Sequence, residues 1–266
     1  MSNEENSGWP VAIVTGGGTG IGAATAGLLS DSGWEVAICG RRASVLERVA
    51  ADIGAHPIAV DMSRESSADE VVGAVLERFG RIDGVVLNAA IAHARRFSDT
   101  TDALWRDMLE TNLVAAARLA RTVIPHFPDG GGSIVGVASL AALRASSFLS
   151  GYAASKAGLG LMLQSVAVEY GKVGVRANLV CPGLVKTEMS ASALMTVADR
   201  DDVPLEAAYD LATRHVPLRR AGAAAEIASV IAFLLSEGAS YLTGAIIPID
   251  GGASAVDVAA LVYEDN

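Results

Sequence analysis

Short apolar runs alternate along the chain with longer segments of helical period. The apolar runs are rich in Val, Ile and Ala and predict seven strands, at 11–15, 35–39, 57–60, 84–87, 133–138, 176–181 and 245–249. The segments between them predict helices at 20–30, 43–53, 68–79, 104–124, 152–170 and 223–235. Strands that alternate with helices form βαβ units and a parallel sheet. The pattern therefore predicts a single doubly wound α/β domain with about seven parallel strands and helices on both faces.

The length and the connecting segments favour one folded unit. The 266 residues fit one large domain, and no repeat or Pro/Ser-rich linker divides them. We expect a flexible N-terminus at 1–8, a folded domain at 9–252 and a C-terminal tail at 253–266. Residues 186–215 follow a strand's carboxyl end and are mixed in character. Such a segment predicts a lid over a substrate.

Composition and charge exclude several classes of function. The net charge of −10 argues against nucleic-acid binding, which needs clustered basic residues. The apolar run 227–235 is too short to span a bilayer, so we expect no membrane insertion. The polar, acidic first residues resemble no targeting segment. Cys39 and Cys181 end apolar runs, and the four histidines are scattered, which predicts buried reduced thiols, no metal and a cytoplasmic location.

A glycine-rich turn follows the first predicted strand and precedes the first predicted helix. Residues 15–22 read TGGGTGIG. Phosphate oxygens bind backbone N–H groups at a helix N-terminus, and a Cβ on the turn would block their approach. Gly16 and Gly20 would permit that approach, while Gly22 would let the helix pack against the strand. The pattern favours a dinucleotide site; the alternative is a tight structural turn.

Three polar residues further along the chain suggest acid/base chemistry. Tyr152 and Lys156 are four residues apart and project from one face of a predicted helix. A free phenol has a pKa near 10, and a neighbouring ammonium would lower it towards neutrality. Ser139 ends a predicted strand, and its hydroxyl could hydrogen-bond a substrate oxygen. Taken alone, a Tyr–Lys pair at this spacing is more often an ordinary pair on a helix surface.

Together these motifs resemble the short-chain dehydrogenase/reductase family. The resemblance continues through Asn112 and through the segments 87–90, 182–183 and 250–252, in the family's order. It implies a Rossmann fold and hydride transfer between a nicotinamide dinucleotide and a small-molecule ketone or secondary alcohol. It also implies Tyr152 as general acid/base, Lys156 on the nicotinamide ribose, and Asn112 holding a water of a proton relay. The expected catalytic residues are Asn112, Ser139, Tyr152 and Lys156.

The end of the second strand bears on the choice of cofactor. An acidic residue there usually holds a free ribose 2′-hydroxyl, but this chain has Gly40 followed by Arg41 and Arg42. Guanidinium groups can pair with a 2′-phosphate, so NADP(H) is favoured. NAD(H) is the alternative if the arginines stack on adenine or face solvent. The expected cofactor-binding residues are Gly16, Gly18, Thr19, Gly20, Ile21, Gly22, Arg41, Arg42, Asp61, Met62, Asn88, Ala89, Ala90, Tyr152, Lys156, Pro182, Gly183, Val185 and Thr187.

Two positions depart from the family pattern, and neither removes a catalytic group. Ala90 stands where glycine is common, and Ala138 stands where serine is frequent. The residues expected to border the substrate pocket are His93, Arg95, Arg96, Arg144, Phe148, Leu184 and Met189. This set suggests a partly apolar substrate with one polar end.

The sequence also allows two other functions. One is reduction of 3-oxoacyl groups on a carrier protein, which needs basic residues near the active-site mouth. The segments 126–132 and 169–174 supply only Lys172, which counts against it. Another is a cofactor-binding sensor without catalysis. Relatives in the family pair their long helices, so we expect a homotetramer or homodimer.

Overall fold

The computed structural model describes residues 8–257, together with residues 259 and 262. The expected flexible segment at 1–8 therefore falls almost entirely outside the described residues. The same holds for much of the expected tail at 253–266, where a short 3₁₀ turn at Ala253–Ala255 is described.

The seven predicted strands are all present and form one parallel sheet. In chain order the strands are β1 (Val11–Thr15), β2 (Glu35–Gly40), β3 (His56–Ala59), β4 (Gly84–Leu87), β5 (Ser133–Val137), β6 (Arg176–Pro182), β7 (Val185–Lys186), β8 (Gly222–Ala223) and β9 (Ile246–Ile249). The sheet has the order β3-β2-β1-β4-β5-β6-β9. The two-residue strands β7 and β8 pair with each other, apart from this sheet. The predicted doubly wound fold is confirmed.

Helices cover both faces of the sheet. They are α1 (Gly20–Asp31), α2 (Ala43–Ile53), α3 (Ser67–Phe79), α4 (Asp102–Leu109), α5 (Ala115–Val123), α6 (Ser150–Tyr170), α7 (Glu188–Asp201), α8 (Leu205–Thr213) and α9 (Ala224–Leu235). The six predicted helices correspond to α1, α2, α3, α4 with α5, α6 and α9. Helices α7 and α8 lie in the segment 186–215, for which the sequence predicts no helix; α7 buries only Ala198, so its sequence carries no apolar stripe.

The long central helix is not regular. A five-residue π-helical segment, Glu110–Val114, separates α4 from α5. Such a segment widens one turn and rotates the side chains that follow it. Asn112 lies inside this segment and is only 1% exposed. The sequence predicted one continuous helix at 104–124, so the π segment is a correction to that prediction.

Alternating residues of each strand supply the two cores. In β1, Val11 and Ile13 belong to one buried cluster, and Ala12 and Val14 belong to the other. The first cluster includes residues of α3, α5 and α6, and the second includes residues of α1, α2 and α9. Because both faces of the sheet are covered, its strands are apolar throughout. Among the described cysteines, both thiols are free and buried, as predicted.

The order of the strands places a crevice between β1 and β4. The chain moves outward through β2 and β3 and then returns to β4 on the other side of β1. Doubly wound sheets bind ligands at this kind of switch point, beyond the carboxyl ends of the strands. The Thr15 hydroxyl joins the two strands, since it donates to the carbonyl of Val86 (3.1 Å) and accepts from the backbone N–H of Asn88 (2.9 Å). No helix of the described chain is long and apolar enough to cross a membrane.

Candidate active site

The glycine turn is built so that backbone comes close to backbone. A Cβ at Gly22 would lie 2.2 Å from the carbonyl oxygen of Gly16. Gly16 and Gly20 have φ values of +65° and +55°, which L side chains rarely adopt. The Asn88 side chain donates to the carbonyls of Thr15 (2.9 Å) and Gly16 (3.2 Å) and so fixes the turn against β4. The N-terminus of α1 therefore opens onto the crevice, as anion binding requires.

Two adjoining cavities form one groove across the crevice. The outer cavity has a volume of about 280 Å³ and lies over the ends of β2 and β3, while the inner cavity has about 190 Å³ and reaches β5 and α6. Both cavities are lined by the same four residues where they meet, namely Gly16, Thr19, Ala89 and Ala90. A groove with two compartments on either side of a glycine turn fits an extended dinucleotide, with one nucleoside in each compartment.

The outer compartment carries the arginines predicted to choose the cofactor. Arg41 and Arg42 both line it, with Asp61 and Met62 opposite. Asp61 accepts hydrogen bonds from the backbone N–H and the hydroxyl of Ser63, at 3.0 and 2.8 Å. These bonds lower the pKa of the Asp61 carboxyl, and Arg41 lowers it further. Asp61 is thus a charged turn residue that also forms part of the cavity wall.

The inner compartment brings Tyr152 and Lys156 together beside the end of β5. The Lys156 ammonium donates to the carbonyl of Val137 (2.7 Å) and lies 5.9 Å from the centre of the Tyr152 ring. Ser139 follows β5 and hydrogen-bonds the Tyr152 phenol. Strand β5 and helix α6 therefore bring these groups to one place. The predicted trio of Ser139, Tyr152 and Lys156 is spatially contiguous.

The electrostatics of this trio differ from the expectation. Burial raises the pKa of Tyr152, and the hydrogen bond with Ser139 only partly opposes that rise. Burial also lowers the pKa of Lys156 from 10.5 to about 8. The sequence predicted that the ammonium would lower the phenol's pKa, but it lies over the ring and bonds Val137 instead of the phenol oxygen. The chain's own groups therefore keep Tyr152 protonated at neutral pH.

Asn112 connects three parts of the site through one side chain. Its amide nitrogen donates to the carbonyl of Ile91 (2.9 Å) and to the hydroxyl of Ser155 (2.9 Å), and its oxygen accepts from the N–H of Ile91 (2.8 Å). Both amide hydrogens are therefore engaged. A water beside Asn112, as expected from the sequence, could therefore not accept a hydrogen bond from the side-chain amide. The structure shows Asn112 joining the loop after β4 to helix α6.

Most expected cofactor residues line the groove, and four do not. Gly22 lies beneath the turn, where it packs against Gly16. Gly183 packs against Asp250, which a Cβ would approach to 2.9 Å, and Pro182 and Val185 are buried in β6 and β7. Sequence reasoning missed several groove residues because they are apolar, small or distant in sequence: Gly40, Val45, Leu46, Val60, Ser63, Ile91, Asp107, Thr111, Val137, Ala138 and Glu188.

Thr187 lines the inner compartment, but its hydroxyl is already used. It accepts from the backbone N–H of Ser190 (3.2 Å) and forms a capping box at the start of α7. The capping box fixes where α7 leaves the groove, so that Glu188 and Met189 stand at its edge. The segment predicted as a lid thus begins on the wall of the inner compartment.

Two loops form the expected substrate mouth, and we call residues 92–100 and 143–149 the mouth loops. The backbone N–H of Arg95 donates to the carbonyl of Phe148 (2.9 Å) and joins the two loops. Phe148 is 53% exposed and has a φ of +66°. His93 lies 2.8 Å from the carboxylate of Asp107, a residue of the outer compartment. Leu184 does not belong with them, because it lines a separate cavity of about 100 Å³.

The segments used to judge carrier docking lie at the wrong end of the sheet. Residues 126–132 precede β5, and residues 169–174 precede β6. They therefore lie at the amino ends of the strands, at the edge of the sheet opposite the groove. The small number of basic residues in these segments therefore does not bear on whether a carrier protein docks at the groove. The exposed arginines Arg95, Arg96 and Arg144 are on the mouth loops themselves. The sequence argument against a carrier-linked substrate is therefore wrong.

Comparison with known proteins identifies the family. A family model described as enoyl-(acyl carrier protein) reductase matches residues 16–254. Levodione reductase of Leifsonia aquatica is 35% identical over 92% of this chain and 94% of its own length. Cis-4-hydroxycyclohexanecarboxylate dehydrogenase of Sinomonas cyclohexanicum is 34% identical over 92% and 97%.

Solved structures agree with the relatives. The crystal structure of levodione reductase superposes with a TM-score of 0.88 at 33% identity, covering 93% of this chain and 98% of that one. An actinorhodin polyketide ketoreductase solved with NADPH has a TM-score of 0.87 at 31% identity, covering 92% and 97%. The chain belongs to the short-chain dehydrogenase/reductase family of oxidoreductases.

Proposed function

We propose that this protein reduces a small-molecule ketone to a secondary alcohol with NADPH, and that Tyr152 donates the proton. The observation that carries the proposal is the pair of Tyr152 and Lys156 on the wall of a groove that also contains a glycine turn, with Ser139 hydrogen-bonded to the Tyr152 phenol. The relatives named as a levodione reductase and a ketoreductase support the same class of reaction.

The residues present fit a nicotinamide dinucleotide. Gly16, Gly18 and Gly20 line the groove and carry no side chain, which leaves the backbone N–H groups of the turn open to a pyrophosphate. Residues of the outer compartment would hold the adenosine half, and those of the inner compartment the nicotinamide half. The bound dinucleotide would supply the hydride. Lys156 can reach ribose hydroxyls there, because it already lines the inner compartment.

The chain's own residues manage the proton and the substrate oxygen. A raised pKa keeps the Tyr152 phenol protonated, and that is the form that can donate to a carbonyl oxygen. Ser139 can donate a second hydrogen bond to the same oxygen and stabilise its developing charge. Asn112 keeps α6, which carries Tyr152 and Lys156, fixed to the loop after β4. Helices α7 and α8 would cover the bound substrate.

The cofactor preference rests on the end of β2. Gly40 leaves no carboxylate to repel a 2′-phosphate, and Arg41 and Arg42 line the compartment where that phosphate would lie. NADPH in the structural neighbour is consistent with this choice. We therefore propose NADP(H) over NAD(H).

The proposal is tested by turnover with both cofactors. Cyclic and aromatic ketones are incubated with NADPH or NADH, and loss of reduced-cofactor absorbance is followed. We expect turnover with at least one ketone and a higher kcat/KM with NADPH. Binding of NADPH without consumption by any carbonyl compound would support a sensor instead. A higher kcat/KM with NADH would overturn the cofactor assignment.

A carrier-linked 3-oxoacyl substrate is a second candidate, favoured by Arg95, Arg96 and Arg144 on the mouth loops. Three basic groups on a chain of net charge −10 would attract an acidic carrier. Comparing a 3-oxoacyl carrier protein with the same acyl group on a short thiol distinguishes the two. A kcat/KM that is much higher for the carrier, and that falls in added salt, would favour this candidate.

Assembly into a homodimer or homotetramer remains part of the proposal. Apolar side chains are exposed on the π segment and on α6, where Val114 is 41%, Leu161 67% and Val168 84% exposed. Leu161 and Val168 are seven residues apart and so lie on one face of α6, and exposed apolar faces mark interaction surfaces. Analytical ultracentrifugation of the protein is the direct test, and a monomer at micromolar concentration would contradict it.

A further inference from the structure

One ion pair crosses the groove from wall to wall. The guanidinium of Arg42 lies 3.1 Å from the carboxylate of Glu188. Arg42 lines the outer compartment, and Glu188 lines the inner one. The two residues are 146 positions apart in the chain and meet only because α7 starts at the edge of the groove. The pair therefore links the proposed 2′-phosphate position to the first turn of the lid.

We propose that Glu188 is a specificity-determining residue that weakens NADP(H) binding by competing with the 2′-phosphate for Arg42. This inference rests on the proposed function, since it requires Arg42 to receive that phosphate. A guanidinium that pairs with a carboxylate must leave it, or share it, to bind a phosphate in bidentate fashion. NAD(H) has no 2′-phosphate that would compete with Glu188 for Arg42, so we expect Glu188 to leave its affinity unchanged.

The size of the effect follows from exposure. The two side chains are 58% and 65% exposed, and an exposed ion pair changes an equilibrium constant by up to about fivefold. Loss of the pair should therefore tighten NADP⁺ binding by about two- to fivefold. Added salt screens exposed charges, so the gain should shrink as ionic strength rises.

The chain offers a matched control on the same lid. Glu206 lies in the first turn of α8, is 70% exposed and pairs with Lys186, as Glu188 lies in the first turn of α7 and pairs with Arg42. Replacing either glutamate with glutamine removes one charge from a helix N-terminus and breaks one exposed pair. Only the Glu188 pair touches the groove residue Arg42.

The experiment measures equilibrium binding of NADP⁺ and NAD⁺ by calorimetry, without turnover. We expect Glu188→Gln to tighten NADP⁺ and leave NAD⁺ unchanged, and Glu206→Gln to change neither. Tightening of NADP⁺ by both variants would show a general charge effect and overturn the proposal. Unchanged NADP⁺ binding, or weaker NAD⁺ binding, in Glu188→Gln would overturn it too.

A double-mutant cycle separates this inference from the proposed cofactor preference. Arg42→Ala removes no helix cap, because the Arg42 side chain makes no capping bond to α2. If Arg42→Ala lowers the preference for NADP⁺ and abolishes the effect of Glu188→Gln, both proposals stand. If Arg42→Ala lowers the preference and Glu188→Gln acts equally in both backgrounds, only the competition fails. If Arg42→Ala leaves the preference unchanged, the assignment of Arg42 to the 2′-phosphate fails.

Discussion

The glycine turn and the mouth loops lie at the same edge of the sheet but are built in opposite ways. The turn packs backbone against backbone so closely that a Cβ at Gly22 has no room. The mouth loops expose large side chains, with Phe97 at 74% and Phe148 at 53%. Close backbone packing permits little variation, whereas exposed side chains can change without unfolding the protein. From this difference we expect the groove to select the cofactor class and the mouth loops to select the substrate.

The largest expected effect is the loss of kcat on replacing Tyr152, which lies in the groove where it would meet the substrate. Tyr152→Phe removes the only phenol in the inner compartment's lining, and the loss of general acid/base catalysis should lower kcat by about 10³-fold. Binding of NADPH should stay within about twofold, because the ring remains in place. Steady-state kinetics and fluorescence binding measure the two quantities. Tyr170→Phe, at the far end of α6, is the control and should keep full activity.

A rate for Tyr152→Phe above a tenth of the wild-type rate would show that another group moves the proton. Tyr152 would then not be the group that carries out acid/base chemistry between the groove and the mouth loops. That result would also remove the basis of the proposed reaction.

The next effect comes from the buried ammonium between the two regions. Lys156 has its pKa lowered from 10.5 to about 8 by burial, so its charged form is penalised in the folded protein. Between these two pH values the unfolded chain binds more protons, and stability rises with pH. Each pKa unit corresponds to about 1.4 kcal/mol, so the wild type should gain roughly 3 kcal/mol relative to Lys156→Met between about pH 7 and pH 10.

Urea unfolding of both proteins at several pH values measures that difference. The bond lost to Val137 lowers the stability of Lys156→Met equally at every pH, so it does not affect the slope. A difference between the two proteins that stays constant with pH would show that Lys156 is not penalised by burial.

A smaller effect tests the close packing of the glycine turn directly. Gly22→Ala places a Cβ against the carbonyl of Gly16, and we expect a loss of about 1–3 kcal/mol in unfolding free energy together with weaker NADPH binding. Gly27→Ala lies on the same helix, where the nearest atom to a new Cβ is 3.7 Å away, in Ile53. That control should raise stability by about 0.5–1 kcal/mol. Equal behaviour of the two variants would contradict the packing argument.

The smallest expected effect concerns the mouth. Phe148 holds a φ of +66°, so Phe148→Gly should relieve strain and raise unfolding free energy by about 0.5–1 kcal/mol, while changing KM for apolar ketones. Asp202→Gly relieves a similar conformation at the end of α7 and should leave KM unchanged. Thermal unfolding and kinetics on a ketone series measure both. A KM unaffected in Phe148→Gly would place substrate selection elsewhere.

Sequence reasoning predicted the parts that depend on local pattern. The seven strands followed from apolar runs, and the turn at 15–22 followed from the steric need for glycine. The spacing of Tyr152 and Lys156 predicted that both project from one face of a helix, while their proposed roles came from the family resemblance. In each case the information lies within a few consecutive residues, so a single sequence is enough.

The parts that failed depend on contacts between distant residues. The π segment around Asn112 is invisible in periodicity, because one widened turn barely shifts the pattern. The pair of Arg42 with Glu188 joins positions 146 residues apart. The ammonium of Lys156 was expected to act on the phenol, but the nearby carbonyl of Val137 takes its hydrogen bond. The docking argument failed because segments before β5 and β6 were assigned to the wrong end of the sheet.

The side chain of Asn112 has a mechanical consequence. This one amide cross-links the loop at Ile91 to α6, the helix that bears Tyr152 and Lys156. Asn112 lies in the π segment Glu110–Val114, which also exposes the side chain of Val114. A second subunit that displaces the π segment would therefore move Ile91, on the groove wall, together with Tyr152. We therefore expect that any pairing of subunits at Val114 and the rate of the proposed proton transfer depend on each other through the Asn112 side chain.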